Sequence, residues 1–107
     1  MAISLGGKIR RLRKEKKLTL DQLAELTGSS KSYIWELEHK TSPRPSAEKL
    51  SKVADKLGVT IEYLLADGAT VSKEDAEDTA FFQKYRRMDP GAKAKLRSLV
   101  DIWYDEE

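Results

Sequence analysis

The residues of this sequence that could do chemistry are few, and most combinations that catalysis or metal binding needs are missing. His39 is the single histidine and cysteine is absent, so a zinc site has no second soft ligand and no disulfide can form. His39 is read as a loop residue. The carboxylates Glu74, Asp75, Glu77 and Asp78 cluster, but they open a helical pattern, where the helix dipole favours solvated negative charge over an acid–base pair. No glycine-rich phosphate loop, nucleophile elbow or Ser/His/Asp set is present. No enzyme, metal or cofactor is expected.

What the chain carries instead is unevenly placed charge. Residues 1–66 hold 13 Lys/Arg against 8 Asp/Glu, and residues 67–107 hold 7 against 10, so a front of +5 precedes a tail of −3. Lys8, Arg10, Arg11, Arg13, Lys14, Lys16 and Lys17 face only Glu15 near the start. Two readings stay open: a front that meets a polyanion, or a merely solvated helix surface. At 107 residues there is little room for an active site with its own walls. The opening MAISLGGKIRRLRKEKK has no apolar run suited to a signal peptide, and no later stretch could span a bilayer. A cytoplasmic protein without a membrane partner is expected.

The elements that must position these residues read as helices throughout. Ile9, Leu12 and Leu18 bracket a first helix of about residues 5–16. Thr19-Leu20-Asp21-Gln22 is a capping box opening a second helix, with Leu23, Ala24 and Leu26 facing inward. Gly28 supplies the positive φ of a tight turn. Ser29 or Ser30 caps a third helix, roughly 30–38, with Ile34 and Leu37 inward. A breaker-rich loop from His39 to Pro45 follows. Ser46 opens a fourth helix with the stripe Leu50, Val53, Ala54 and Leu57, and Gly58 ends it. Thr60 caps a last short helix, in which Ile61, Leu64 and Leu65 close the core near Ala66. Residues 67–74 read as a linker. Beyond it, Ala76, Ala80, Phe81, Tyr85 and Met88 share one face of a helix near 75–88. Asp89-Pro90 then starts another, with Ala92, Leu96, Leu99, Val100 and Trp103 on its stripe to about 104.

The run IRRLRKEKKLTLDQLAELTGSSKSYIWELE, followed by RPSAEKLSKVADKLGVTIEYLL, resembles the Xre/Cro-type, lambda-repressor-like helix-turn-helix family over more than half the chain. The resemblance implies an all-α, five-helix DNA-binding domain over 1–66, with a C-terminal pair of amphipathic helices over 75–107. It implies a sequence-specific double-stranded DNA-binding regulator, a repressor on a pseudo-palindromic operator. In such a domain one helix enters the major groove, where each base pair shows a distinct set of donors, acceptors and methyls.

Carried onto this sequence, base reading falls to Lys31, Ser32 and Glu36, flanked by Tyr33 and Trp35. Phosphate contacts fall to Ser30, Lys40, Thr41, Ser42 and Arg44, with Arg10 adding attraction. Tyr33 and Trp35 also admit another reading, as surface aromatics of a protein-binding face. The resemblance pairs Arg13 with Glu38 as a structural, partly buried ion pair, whose breakage costs about 3–5 kcal/mol. Two positions depart from the family. Leu20 stands where many relatives have a phosphate-clamping glutamine, and Lys40 where a glycine is usual.

The tail carries Phe81, Phe82, Tyr85, Met88, Leu96, Leu99, Val100, Ile102, Trp103 and Tyr104, more apolar surface than two helices hide between themselves. The excess is read as a homodimer interface, because two reading helices bind two half-sites and add their free energies. The alternative is an antitoxin-type protein whose tail binds a toxin or another regulator and whose DNA binding autoregulates. A third option is a repressor inactivated by cutting in the linker.

Overall fold

The computed structural model describes residues 4–40, 44–66 and 72–105, and every regular element among them is a helix. Seven helices follow one another: α1 (Leu5–Glu15), α2 (Leu20–Thr27), α3 (Lys31–His39), α4 (Ala47–Leu57), α5 (Ile61–Leu65), α6 (Lys73–Arg87) and α7 (Pro90–Asp105). Thr41, Ser42 and most of the expected linker lie outside the described residues.

Local chemistry sets each helix start. Ser4, Thr19, Ser30, Ser46, Thr60 and Ser72 stand in extended backbone, and each side-chain oxygen accepts from the N–H three residues on. Asp89 does the same for the Ala92 N–H, 2.9 Å away, just before Pro90. Each such bond satisfies a donor the helix cannot satisfy itself, worth about 1 kcal/mol. At Thr19 the box is complete, because Gln22 Oε1 also accepts the Thr19 N–H at 2.8 Å. Ser30, not Ser29, caps α3. Helix α6 opens two residues earlier than the charge pattern suggests, because Ser72 is available to cap it.

Helix ends are as local. Gly28 and Gly58 close α2 and α4 in the left-handed region at φ 66° and 74°, where a Cβ is disfavoured. Lys17 takes the same region at φ 58° after α1. There the Leu18 N–H donates to the Arg13 carbonyl at 3.0 Å, so the turn is made without the usual glycine.

The stripes of α1–α5 meet in one core, but Leu26 and Leu65, read as inward-facing, lie on the solvent side of their helices, 47% and 58% exposed. Ile9, Leu23, Ile34, Val53, Leu57 and Leu64 are all but completely buried. Ala24 is buried between α2 and its neighbours, and Leu20 packs half-buried against the same core. That position explains why the second helix tolerates an apolar first residue. The core does not stop at α5: Ala76 of α6 is buried within it.

Beyond Ala76 the expected single apolar face of α6 divides. Ala80, Tyr85 and Met88 are half-buried, whereas Phe81 is exposed, as is its neighbour Phe82. No residue of α7 is buried. The two last helices meet around Tyr85, whose ring lies 5.5 Å from Lys93 Nζ and 5.6 Å from the Arg97 guanidinium. The outcome is an elongated molecule of 47 × 30 × 24 Å with a radius of gyration of 15.7 Å, against about 13 Å for a compact chain of this length.

Candidate nucleic-acid interface

Helix α3 is held by its inner side and offered by its outer side. Ile34, Leu37 and Glu38 face inward and are buried, whereas Lys31, Ser32, Trp35, Glu36, His39 and Lys40 are exposed. The anchoring is strongest at Glu38. Arg13 of α1 forks onto it, Nε to Oε2 at 2.6 Å and Nη2 to Oε1 at 3.1 Å. The third guanidinium nitrogen, Nη1, donates to the Leu18 carbonyl at 2.9 Å. The Glu38 side chain is fully buried, so this bidentate, charge-assisted pair ties α1, the following turn and α3 into one unit. No buried polar side-chain atom among the described residues lacks a partner.

Gly6 permits that approach. A Cβ there would lie 2.7 Å from the Leu37 carbonyl oxygen and closer still to that of Glu38, so α1 crosses α3 at backbone contact.

The charged residues of the outer face are held only loosely. Lys31 reaches Asp21 at 3.9 Å and Lys40 reaches Glu36 at 3.4 Å, with all four side chains more than half exposed. Such pairs contribute about 0–1 kcal/mol and yield to a stronger partner. Ser30 Oγ accepts from the Tyr33 N–H at 3.0 Å, which leaves its own O–H free to donate. Arg10 and Arg44 are exposed. Tyr33 stands apart from its neighbours, half-buried against the core with Lys49 Nζ 5.8 Å above its ring.

Three basic or aromatic side chains have structural work that composition and periodicity do not reveal. Lys8 is buried, its ammonium donating to the carbonyls of Tyr63, at 2.9 Å, and Ala66. It therefore caps the end of α5 and does not belong to the basic front. Lys49 donates to the Gly28 carbonyl at 3.1 Å and Ser29 Oγ at 3.2 Å, strapping the turn before α3. His39 is the last residue of α3 rather than part of the loop. Its ring stacks on Trp35 with centroids 4.3 Å apart and planes 15° from parallel, and its Nδ1–H donates to the Trp35 carbonyl at 2.8 Å. The i, i+4 spacing of Trp35 and His39 was the available signal for that stack.

Among the described residues there is no cluster of metal-ligating side chains, and no helix is long and apolar enough to cross a membrane. Phe81, Phe82, Tyr85, Leu96 and Val100 line a shallow apolar groove of about 210 Å³ between α6 and α7.

A short helix packed across a second, exposed helix and braced from behind is the geometry of a helix-turn-helix. A family model described as a helix-turn-helix domain matches residues 6–68, and the chain belongs to that family, within the Xre and lambda-repressor-like class. It is 35% identical over 75 residues, 70% of its length, to the immunity repressor protein of Bacillus phage phi105. It is 39% identical over 61 residues, 57% of its length, to the HTH-type transcriptional regulator SinR of Bacillus subtilis strain 168. The matches cover 51% and 55% of those relatives, so the chain spans about half their length.

Solved structures agree. The structure of SinR in complex with DNA aligns with a TM-score of 0.55 at 39% identity, over 58% of this chain and 98% of that one. A chain of the SinR protein/SinI protein complex aligns with a TM-score of 0.57 at 29% identity, over 96% and 99% of the two chains.

Proposed function

We propose that this protein is a sequence-specific, double-stranded DNA-binding transcriptional regulator, a repressor that binds a pseudo-palindromic operator as a homodimer. The observation that carries this reading is the outer face of α3. Its charged groups are solvated and only weakly paired, while its inner face is locked by Ile34, Leu37 and the Arg13–Glu38 pair. Rigidity behind and availability in front are what reading base edges requires. A relative named as an immunity repressor and another solved in complex with DNA support it.

In this reading Lys31 donates to guanine O6 and N7, and Glu36 accepts from cytosine N4 once it leaves Lys40. Ser32 contacts either kind of edge. Ser30, Lys40, Thr41, Ser42, Arg44 and Arg10 set the register on the phosphates. Residues 1–66 form the reading domain and 75–107 the dimerisation region, with Phe81, Phe82, Tyr85, Met88, Leu96, Leu99, Val100 and Trp103 across the interface. The exposure of Phe81, Phe82, Leu99, Val100 and Trp103 favours that use.

A second reading shares the same surface. The likeness to a chain of the SinR protein/SinI protein complex extends through α6 and α7, which favours a different protein, a toxin or regulator, as the tail's partner.

Selection of bound DNA from a random pool, repeated with Lys31→Ala and Glu36→Ala, tests the base-reading assignment. Each variant relaxes preference at one position per half-site and loses about 1–3 kcal/mol. If both retained the parental motif unchanged, other residues would be the readers.

A further inference from the structure

We propose that Trp35 reads the 5-methyl group of a thymine, and that His39 is the positioning residue that holds the indole ready to do so. The proposal rests on the DNA-binding reading above. Single exposed apolar residues are ordinary on protein surfaces, but this one is not loose. Trp35 is 51% exposed, yet its ring is stacked on His39 at 4.3 Å and 15°. The imidazole is itself tied back to the helix by the Nδ1–H bond to the Trp35 carbonyl at 2.8 Å. An aromatic fixed in this way has surrendered its rotamer freedom before a ligand arrives, which removes a cost of binding.

Its placement fits the role. Ser32, Trp35, Glu36 and His39 recur at i, i+3, i+4 and i+7, so they form one stripe along α3, and all four are exposed. Trp35 is the one exposed large apolar side chain among the residues of α3. Charged and polar neighbours surround it, which suits a groove edged by phosphates better than the apolar face of another protein. Among the base edges of the major groove, the apolar feature is the thymine methyl; the rest are donors and acceptors. Lys31 and Glu36 have no means of recognising it. The indole does.

The test starts from the site selected by the parent protein and replaces each thymine in turn by deoxyuridine, which removes the methyl and keeps the pairing. The parent loses about fourfold in affinity at one thymine per half-site, the worth of one buried methyl. Trp35→Ala binds more weakly and no longer distinguishes the two bases there. His39→Ala loses most of the discrimination, and His39→Phe, which keeps an aromatic ring on the indole, restores it. The Trp35 indole N–H resonance, assigned by its absence in Trp35→Ala, shifts in His39→Ala through lost ring current. Parental binding indifferent to every replacement overturns the thymine contact. Full discrimination with an unshifted resonance in His39→Ala overturns the positioning role. A protein that selects no motif at all fails at the first step, and takes the underlying DNA-binding reading with it.

Discussion

Gly6 decides how closely the first helix can approach the third. Alanine is the better helix former by up to about 1 kcal/mol, so an exposed site would gain from the change. Here the added Cβ meets two backbone carbonyls, one at 2.7 Å, and backbone cannot swing aside as a side chain does. Overpacking of this kind costs about 1–3 kcal/mol and also pulls at the Arg13–Glu38 fork. Gly6→Ala is therefore expected to lower the melting temperature by several degrees, read by circular dichroism. A melt equal to the parent's would mean α1 has slack that the geometry does not suggest. The same crowding puts the fork's value in perspective. Its main use is to fix α3 against α1, because Glu38 without Arg13 would be a buried carboxylate with no counter-charge.

At the scale of elements, Ala76 and Lys73 both help join α6 to the helices before it. Ala76 fills a place in the shared core, and Lys73 Nζ meets Glu15 Oε2 at 2.6 Å. The hydrogen bond to Glu15 is the chief reason the Lys73 ammonium titrates above its ordinary 10.5, with the charges of Glu15 and Glu77 adding to it against slight desolvation. A cation whose folded-state pKa is raised stabilises fully below its unfolded value and loses that contribution as pH climbs through the folded one. The urea midpoint of the parent should therefore exceed that of Lys73→Met by a constant margin from neutral pH to about 10. The margin should close in stronger alkali. Both side chains are solvated, so it is on the order of a few tenths of a kcal/mol and shrinks in salt. A margin that grew with pH would show that some other group, not this pair, ties α6 down.

For the molecule as a whole, the elongated shape and the wet apolar tail belong together. Phe82, Leu99, Val100, Ile102 and Trp103 are each about half exposed or more, an arrangement that association relieves. Light scattering on the parent at tens of micromolar should return the mass of two chains. A mass of one chain would remove the homodimer from the proposal. The double change Leu99→Glu with Trp103→Glu should give a monomer that keeps the core of α1–α5, because nothing on α7 is buried in it. Its affinity for a two-half-site operator should fall by roughly 10²–10⁴, the loss of linked binding. A half-site should be bound almost as before.

Sequence alone determined the local features. Helix starts at Thr19, Ser46, Thr60 and Asp89, the turns at Gly28 and Gly58, and the stripe from Leu23 to Leu64 follow from capping and 3.6-residue periodicity, which act within a few positions. The likeness to a known family added the Arg13–Glu38 pairing. Only the tertiary structure decided which polar side chains turn inward. Lys8 caps a carbonyl 55 residues away and Lys49 one 21 residues away, while Gly6 is required by a helix that arrives much later. Ala76 belongs to a core whose other members precede the expected linker. In each case the partner lies outside the local window, and a charged side chain looks the same in sequence whether it faces water or a helix end. Packing brings those distant groups together, and it alone chooses between the two.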